Sequence, residues 1–309
     1  MIKLKEITRR KYALRFFIWG FSFLGRGVGG PPFRFTVTAF DLDQKARASA
    51  EKLGAQTVDQ IHDLVDENGT GRVVWIMVPH TVVDGVLEDV LIQLKKGDIV
   101  IDGGNSPYKL SVDRAARLKK KGIHYLDVGV SGGPKGARYG ACMMVGGSTR
   151  IAKKLEPLFT ALCVKDGYAH VGKSGAGHFV KMVHNGIEYG MMQAIAEGFA
   201  IMREADSFSI DLKKVSKVYS HGSVIESRLM DWMHDAFTEY GSELKKISGT
   251  AIGTGEGKWT VETAHELGIP DHVIHEAFLA RKRSEKAPNY QGKVIMALRN
   301  QFGGHSIKN

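Results

Sequence analysis

Residues 72–105 read RVVWIMVPHTVVDGVLEDVLIQLKKGDIVIDGGN, in which two apolar runs flank a more polar stretch of helical character. The runs are rich in Val and Ile and do not alternate strictly with polar residues, a pattern typical of parallel strands covered on both faces. We therefore predict a strand, a helix and a second strand that runs parallel to the first.

The same alternation continues on both sides of this stretch, from Thr36 to about Gly172. Its further apolar runs are FTVTAF, which ends at Asp41, IHYLDVGV, which leads into SGGPKGARYG, and CMMVGG, which a helix follows. The pattern predicts an α/β domain with a Rossmann-like, doubly wound parallel sheet, in which ligands bind at the carboxyl ends of the strands.

The character of the sequence changes after Gly175. Residues 176–205 show apolar residues at helical spacing and almost no strand signal, which predicts an all-α domain. The glycine-rich VGKSGAG at 171–177 marks the boundary. The predicted domains are therefore residues 1–174, with the sheet, and residues 175–309, with helices and a C-terminal tail.

The composition is that of a globular protein with an excess of positive charge. The chain has 309 residues, of which 43% are apolar, a net charge of +10 and a pI near 9.4. The charge is compatible with a phosphorylated substrate. It is weak evidence for nucleic acid, because no basic stripe interleaved with aromatic residues occurs outside the amino terminus.

Two cysteines, Cys142 and Cys163, are too few for a disulfide framework or a cysteine-based metal site, which favours a reducing cytoplasm. No run approaches the ~20 apolar residues of a membrane span. The amino terminus, MIKLKEITRRKYALRFFIWGFSFLG, imitates a secretory signal, but Arg15 interrupts its apolar run and no clean cleavage site follows. We expect a cytoplasmic protein that binds neither membranes nor nucleic acid.

Four polar side chains share one line of the helix that follows Gly175. Lys181, His184, Asn185 and Glu188 stand at offsets of zero, three, four and seven. On an α-helix these offsets fall within a face about 100° wide. Lys181 and Glu188 are about 10 Å apart along the axis, so a small molecule that lies along the helix could touch both.

This stripe has two interpretations. Lys and Glu at helical spacing are ordinary surface residues, which favours a solvated face. His and Asn are poor choices for such a face, however, and we expect a helix buried around its circumference, with the stripe facing a cleft. Loss of solvation there favours a neutral amine and a neutral carboxyl group, a base and an acid for one substrate. The apolar residues on the other sides are Phe179, Met182, Val183, Ile187, Met191 and Met192.

Five further motifs are specific: IDGGNS, DVGVSGGPKGARYG, GHFVKMVHNGIEYG, GEGKWT and the tail RNQFGGH. Together they resemble the decarboxylating 6-phosphogluconate dehydrogenases, from about Thr36 to the final residues. The length resembles the short form of the family, which has one helical unit where the long form has two. The resemblance implies oxidation and decarboxylation of 6-phospho-D-gluconate to D-ribulose 5-phosphate and CO2, with reduction of NAD(P)+.

The resemblance also implies how the reaction proceeds. Lys181 removes the proton of the C3 hydroxyl as hydride leaves C3 for the nicotinamide. The resulting 3-keto acid loses CO2, because its carbonyl accepts the electrons. Lys181, now protonated, stabilises the enediol, and Glu188 protonates C1. No metal is required, and no cluster of metal ligands is evident in the sequence.

Substrate-binding residues follow from the same resemblance. Alternatives remain open, because a glycine-rich loop is often structural, isolated arginines are commonly surface residues, and a terminal tail frays unless it docks. In the family the tail reaches a neighbouring subunit, which implies a homodimer or a higher homo-oligomer. The implied residues are Asn105, Ser131, Gly132, Gly133, His184 and Asn185 for the carboxylate and hydroxyls, and Tyr189, Arg281, Arg299 and His305 for the phosphate.

The cofactor end departs from the family, which normally opens with a strand, a G-x-G-x-x-G turn and a helix. GRGVGG at 25–30 satisfies the pattern, but PPFRFTVTAFD follows at once and leaves no room for a helix. The alternative, GFSFLG at 20–25, puts Ser22 in place of the second glycine, and the two prolines that follow would still break a helix. Residues 1–35 are therefore atypical.

We hypothesise that a frameshift at the start of the gene produced this segment, and resequencing that region tests the hypothesis. If the sequence is correct as written, the chain should bind pyrophosphate poorly.

Asp41 ends the strand that follows and is intact. Its carboxylate would accept hydrogen bonds from ribose hydroxyls and repel a 2′-phosphate, which predicts NAD rather than NADP. Its alternative role is a helix N-cap, which Asp43 could fill as well. Thr254 stands where the long enzymes carry a lysine, so phosphate contacts there stay open. The residues expected to flank the cofactor are Val78, Pro79, His80, Thr81 and Asn105.

Two other functions compete with the oxidative decarboxylase. A dehydrogenase of a simpler 3-hydroxy acid would share the fold and Lys181, but it would not need HNGIEYG or the arginine and histidine of the tail. A catalytically impaired homologue that acts as a binding protein would explain the altered glycine loop.

Overall fold

The computed structural model divides the chain into two compact units, residues 1–182 and residues 183–309. The boundary falls inside one long helix, Ala176–Arg203, whereas the predicted boundary at 174/175 precedes it. The limits of the functional domains stay a prediction. The structure describes residues 12–18, 35–65, 71–253 and 255–307.

One eight-stranded sheet organises the first unit, in the order β3-β2-β1-β4-β5-β6-β7-β8. Neighbouring strands are parallel except for β6 and β7, which are antiparallel. The strands are β1 (Tyr12–Ile18), β2 (Phe35–Phe40), β3 (Gln56–Thr57), β4 (Val73–Met77), β5 (Ile99–Asp102), β6 (His124–Ser131), β7 (Ala141–Gly147) and β8 (Cys163–Gly172).

Helices cover both faces of this sheet. Successive residues of a strand point to opposite faces. Trp75 accordingly packs with Phe159 in one core, while its neighbour Ile76 packs with Leu87 in the other. This is the doubly wound, Rossmann-like architecture that the apolar runs predicted, and the fold class is confirmed. The helices are α1 (Gln44–Lys52), α2 (Val83–Leu91), α3 (Tyr108–Lys120), α4 (Gly133–Tyr139) and α5 (Thr149–Leu162).

Three strands, β1, β3 and β8, are absent from the prediction. β1 lies between β2 and β4 and is parallel to both, with Leu14 opposite Val37 and Val73. Its sequence, YALRFFI, follows a cluster of basic residues and for that reason imitates the apolar part of a signal peptide. A central strand of the sheet therefore comes from the atypical part of the chain.

The second unit consists of helices, with no strand among its described residues, which confirms the predicted all-α domain. Phe199 and Phe237 meet edge to face in its core, with ring centroids 5.2 Å apart. None of the described helices is both long and apolar enough to cross a membrane. The helices are α6 (Ala176–Arg203), which begins in the first unit, α7 (Leu212–Tyr219), α8 (Arg228–Tyr240), α9 (Glu256–Glu266), α10 (His272–Lys286) and α11 (Tyr290–Gly303).

Candidate active site

Three glycines let the first turn of α6 lie directly on the sheet. A Cβ at Gly177 of α6 would come within 2.2 Å of the carbonyl oxygen of Asp127, and a Cβ at Gly146 of β7 within 2.5 Å of the backbone nitrogen of Gly177. A Cβ at Gly129 of β6 would lie 2.3 Å from the Cβ of Lys181. The base of the lysine side chain therefore rests on the backbone of β6.

Asp127 fixes the point at which α6 begins. Its side chain is fully buried, and its two oxygens accept hydrogen bonds from the backbone N–H groups of Gly175, at 2.7 Å, and His178, at 3.0 Å. The first N–H groups of a helix have no partner within the helix, and a negative charge beside them complements the helix dipole. The carboxylate thus holds α6 by its amino-terminal end, one turn before Lys181.

His178 anchors the same turn to α3. It is 2% exposed, and its Nδ1 lies 2.6 Å from the hydroxyl oxygen of Ser111. The neighbouring Phe179 meets Tyr108 edge to face, with ring centroids 5.2 Å apart. Because the start of α6 is tied both to the sheet and to α3, packing sets the direction in which Lys181 leaves the helix.

The four polar side chains predicted on α6 differ in burial. Lys181 is 8% exposed, whereas the side chains of His184 and Glu188 are 38% and 26% exposed. His184 Nδ1 lies 3.0 Å from Asn185 Oδ1 and 3.8 Å from Glu188 Oε2. The imidazole therefore links an amide and a carboxylate along the stripe.

The expectation that α6 is buried around its circumference is wrong for this chain. Met182 and Met192 are buried, but Ile187 and Met191 are 53% and 43% exposed. Farther along the helix, Ile201 is 72% exposed. Because apolar residues occur on every side of the helix, the sequence did not show which side packs against this chain and which side is exposed.

A second group of predicted residues surrounds the ring of Tyr189 in the second unit. The guanidinium carbon of Arg281 lies 3.3 Å from the ring centroid. Tyr189, Arg281 and Arg299 are 7%, 4% and 6% exposed, so two positive charges are buried together. Burial, together with the charge of Arg299, lowers the pKa of Arg281 to about 10. Burial also lowers the pKa of Arg299.

The hydrogen bonds of these guanidinium groups go to neutral atoms, although the carboxylates of Glu188 and Glu256 partly offset the charge of Arg299. Arg281 Nε is buried and has no hydrogen-bond partner among the described residues. Arg281 Nη2 lies 3.5 Å from the sulfur of Met192, and Arg299 Nη1 donates to the carbonyl oxygen of Ile252. Buried cations are costly without an anion. The arrangement therefore fits an anionic ligand with several oxygen acceptors.

The first turn of α9 and the loop before it pack closely on the same ring. A Cβ at Gly257 would lie 2.4 Å from Cε1 of Tyr189, and a Cβ at Gly253 would lie 2.6 Å from the Tyr189 hydroxyl oxygen. Gly253 and Gly257 thus leave the space that Tyr189 occupies. Thr254, where phosphate contacts were left open, lies outside the described residues.

The C-terminal tail docks on its own unit as far as Ile307. Gly304 closes α11 with a φ of 64°, the left-handed conformation that favours glycine, and the carbonyl oxygen of Ile307 accepts a hydrogen bond from Ser248 N at 2.8 Å. His305 is half-buried, and burial followed by the charge of Arg299 lowers the pKa of its imidazole. The tail therefore does not fray here; its contact with a neighbouring subunit stays a prediction.

Asp41 lies at the carboxyl end of β2 with one oxygen unused. Oδ1 accepts a hydrogen bond from Asp43 N at 2.8 Å, while Oδ2 is buried and has no partner among the described residues. Asp43 caps α1 by accepting from Lys45 N at 2.9 Å. Burial raises the pKa of Asp41. Asp43, and not Asp41, is therefore the N-cap of α1. A buried acceptor that lacks a donor fits a ribose hydroxyl of a nucleotide, and this role of Asp41 stays a prediction.

The loops after β4 and β5 approach each other at the carboxyl edge of the sheet. Asp102 accepts hydrogen bonds from Gly104 N at 3.2 Å and from Ser106 Oγ at 2.9 Å, which fixes the turn that carries Asn105. A Cβ at Gly104 would lie 2.7 Å from the carbonyl oxygen of Val78. Asn105 is exposed on this turn. The other predicted cofactor residues, Pro79, His80 and Thr81, follow Val78 directly.

The loop predicted to bind a carboxylate follows β6. Ser131 is the last residue of β6, and Gly132 and Gly133 have φ values of 121° and 59°, which favour glycine. Gly132 O accepts a hydrogen bond from Gly136 N at 2.8 Å. Gly129, beneath Lys181, belongs to the same strand end, so the first unit brings this loop and the lysine to one place.

Both versions of the glycine fingerprint lie outside the described residues. β1 ends at Ile18, before both of them. The choice between GFSFLG at 20–25 and GRGVGG at 25–30 stays open.

Two family models match consecutive parts of the chain. The NAD binding domain of 6-phosphogluconate dehydrogenase matches residues 33–172, and the C-terminal domain of 6-phosphogluconate dehydrogenase matches residues 177–303. The chain belongs to the 6-phosphogluconate dehydrogenase family. The first match begins close to Thr36, where the motifs placed the start of the likeness.

Curated relatives agree with this assignment. YqeC of Bacillus subtilis, provisionally named a 6-phosphogluconate dehydrogenase, is 46% identical over 272 residues, which cover 88% of this chain and 91% of that protein. An NAD(+)-dependent, decarboxylating 6-phosphogluconate dehydrogenase of Haloferax volcanii is 40% identical over 273 residues, which cover 88% of this chain and 90% of the relative.

Solved structures share the fold. A 6-phosphogluconate dehydrogenase of Plasmodium falciparum, studied with NADP+ and with 6-phosphogluconate, matches with a TM-score of 0.77 and 28% identity, over 89% of this chain and 62% of that one. A 3-hydroxyisobutyrate dehydrogenase of Salmonella typhimurium matches with a TM-score of 0.71 and 21% identity, over 92% of this chain and 99% of that one. The second likeness concerns the fold alone.

Asp127 and His178, which position Lys181, were not among the predicted residues. A charged residue inside the buried run IHYLDVGV was the available signal for Asp127, since a buried carboxylate needs partners. His178 carried no such signal, because its partner Ser111 is 67 positions away. Residues that orient a side chain by fixing the helix that carries it leave little trace in a sequence motif.

We predict that Asp127→Asn lowers the free energy of unfolding by about 1–3 kcal/mol, because the amide can accept only one of the two N–H groups and its NH2 faces the other. Urea denaturation measures the change. The matched control is Asp43→Asn at the exposed cap of α1, where Asn caps as well as Asp and stability should stay unchanged. Equal stability of both variants would show that Asp127 does not hold α6.

Proposed function

We propose that this protein oxidises and decarboxylates 6-phospho-D-gluconate to D-ribulose 5-phosphate and CO2, with NAD+ as the hydride acceptor. The observation that carries the proposal is the buried pair Arg281 and Arg299 around Tyr189. A phosphate group matches the fork of a guanidinium and would bring negative charge to this buried pair. The reaction named for the Haloferax volcanii relative supports the same substrate.

Lys181 is the proposed base. It is buried at 8% exposure and rests on Gly129, beside the loop of Ser131 to Gly133. Lys181 takes the proton of the C3 hydroxyl, and a nicotinamide cofactor, when bound, would supply the acceptor for the hydride of C3. The new carbonyl at C3 then accepts the electrons of the C1–C2 bond as CO2 leaves. The protonated amine of Lys181 stabilises the enediolate oxygen at C3.

Glu188 is the proposed acid. It lies seven residues after Lys181 on the same helix, about 10 Å along the axis, which suits a substrate aligned with α6. Its carboxyl group donates a proton to the carbon that becomes C1 of the product. His184 and Asn185, between the two, offer a ring nitrogen and an amide to the sugar hydroxyls.

The loops at the carboxyl edge of the sheet are the proposed site for the other end of the reaction. Exposed backbone N–H groups after Ser131 and the amide of Asn105 support binding of the substrate carboxylate. Val78, Pro79, His80 and Thr81 would line the cofactor. His305, with its lowered pKa, joins the arginines as a further hydrogen-bonding group for the phosphate.

NAD rather than NADP is the proposed cofactor, because one buried oxygen of Asp41 has no hydrogen-bond partner in the part of the chain that the structure describes. That oxygen would accept from a ribose hydroxyl, and its charge would repel a 2′-phosphate. The NAD(+)-dependent relative from Haloferax volcanii supports this choice.

A dehydrogenase of a simpler 3-hydroxy acid, which would share the fold and Lys181, is the second candidate. A substrate without phosphate would bring no anion to the buried pair Arg281 and Arg299, which argues against it. The impaired homologue stays a third candidate, since the family match begins at residue 33, after the fingerprint.

We predict that the purified protein forms NADH and CO2 in equal amounts from 6-phosphogluconate, and that Lys181→Met lowers kcat by about 10²–10⁴-fold, the usual contribution of a general base. Lys173→Met, at an exposed lysine near the start of α6, is the matched control and should retain full activity. Absorbance of NADH and trapped CO2 are the measurements.

Each candidate gives a different result in this assay. NADH without CO2, from a non-phosphorylated hydroxy acid, would identify the simpler dehydrogenase. Tight binding of 6-phosphogluconate without turnover would identify the impaired homologue. A Lys181→Met variant that turns over at a near-normal rate would remove Lys181 from its proposed role.

We predict that Asp41→Ser weakens NAD binding about tenfold to a hundredfold, because a hydrogen bond to a charged group contributes about 1.5–3 kcal/mol. NADP binding should weaken less or improve. Asp43→Ser is the control, since Ser also caps α1 and NAD affinity should not change. Titration calorimetry measures both affinities, and an unchanged ratio of NAD to NADP affinity in Asp41→Ser would contradict the assignment.

We further propose that the protein acts as a homodimer in the cytoplasm. The open face of α6 carries Ile187, Met191 and Ile201, 53%, 43% and 72% exposed, and a second copy of the chain is the occupant we propose for it. The free thiols of Cys142 and Cys163 support a reducing compartment.

We predict that the wild-type protein sediments as a dimer and that Met191→Glu combined with Ile201→Glu produces monomers, because two buried charges would oppose association. Ile92→Glu, at an equally open residue of the first unit with 86% exposure, should leave the dimer intact. Analytical ultracentrifugation at micromolar concentration measures the state. A monomeric wild-type protein would exclude this interface.

A further inference from the structure

Three potential metal ligands meet where α9 ends and α10 begins. His265 lies in the last turn of α9, Asp271 precedes α10, and His275 lies in the first turn of α10. One ligand atom from each residue lies within 4.8 Å of the other two. The short connection between the helices, with Gly268 at a φ of 65°, brings the three side chains together. They lie outside the groups assigned to the proposed reaction.

The carboxylate of Asp271 is incompletely satisfied. Asp271 occupies the N-cap position of α10, yet its side chain makes no cap hydrogen bond. The side chain is only 10% exposed, and its Oδ2 is buried without a hydrogen-bond partner among the described residues. A buried carboxylate oxygen without a hydrogen bond lowers the stability of the folded protein. The side chain of an Asp at the N-cap normally accepts hydrogen bonds from the first backbone N–H groups of the helix. The side chain instead points to the two histidines.

The spacing of the ligand atoms fits a transition metal better than a hydrogen bond. Asp271 Oδ1 lies 3.5 Å from His265 Nε2, longer than an ordinary N–H···O contact. Zinc binds imidazole nitrogen and carboxylate oxygen at about 2.0–2.2 Å, so two ligands of a tetrahedral zinc ion are about 3.4 Å apart. The rings of His265 and His275 have centroids 5.4 Å apart, which leaves room for both nitrogens on one ion.

We propose that His265, Asp271 and His275 bind a divalent transition-metal ion, with Zn2+ as the ligand that fits best. Two imidazoles select zinc, cobalt, nickel or copper over magnesium and calcium, which prefer oxygen ligands. Three protein ligands leave the fourth position to water, on the side where His265 is 57% exposed. The sequence did not reveal this cluster, because its three residues are spread across the end of one helix, a turn and the start of the next helix.

This ion is structural and has no part in the proposed reaction. It would join the end of α9 to the start of α10. The same two helices frame Tyr189, since Gly257 of α9 contacts its ring and Arg281 of α10 stacks on it. Metal binding would therefore stabilise the pair of helices that carries the anion-binding residues.

Tag-free full-length protein, stripped with a chelator and titrated with ZnCl2 in a calorimeter, tests the proposal. We predict one zinc ion per chain and a higher Tm with zinc than with chelator. His265→Ala and His275→Ala should each weaken binding at least tenfold, whereas His272→Ala, at an exposed histidine beside the cluster, should bind zinc normally. Circular dichroism confirms that each variant is folded.

Cobalt provides an independent readout, because Co2+ bound by three protein ligands in a tetrahedral site absorbs visible light. We expect this absorption in the wild-type protein and in His272→Ala, and its loss in His265→Ala. Zinc binding that is equally strong in His265→Ala, or no binding at micromolar zinc, would overturn the proposal. Either result leaves the assay of 6-phosphogluconate oxidation unaffected, so the two proposals fail separately.

Discussion

The carboxylate of Asp127 accepts hydrogen bonds from the backbone N–H groups of Gly175 and His178, and the position of Lys181 depends on that contact. A helix can slide or rotate on a sheet unless its end is fixed. Here a charge buried in β6 fixes it, and the Ser111 contact of His178 prevents rotation. The lysine therefore has a defined position before any ligand binds, which is the condition for efficient proton transfer.

Electrostatics shapes the second unit differently, since two positive charges are buried close together. Arg281 and Arg299 lie beside Tyr189, and burial lowers the pKa of both. Buried cations lower the stability of a protein unless anions compensate them. Under the proposed function, a phosphate group would compensate these charges in a place where charges interact strongly.

Much of the fold could be predicted from the sequence, because strands buried on both faces, such as Val73–Met77, are continuous apolar runs. The polar stripe was visible because helical periodicity is local. Contacts between distant residues were not: the pairing of His178 with Ser111 and the cluster of His265, Asp271 and His275 need the folded chain. β1 was missed because its composition fits a signal peptide as well as a strand. The exposure of Ile187 was missed because apolar residues also occupy faces that other chains cover.

Gly129, Gly146 and Gly177 tolerate no side chain, since even a methyl group would collide with fixed backbone atoms. No conservative substitution is therefore available at these positions, because any side chain there would lift α6 from the sheet. The residues that recognise the substrate can change in evolution, whereas the glycines on which α6 and Lys181 pack cannot. We expect the three glycines to persist in homologues that keep the lysine and have changed their substrate, as a record of shared descent rather than of shared specificity.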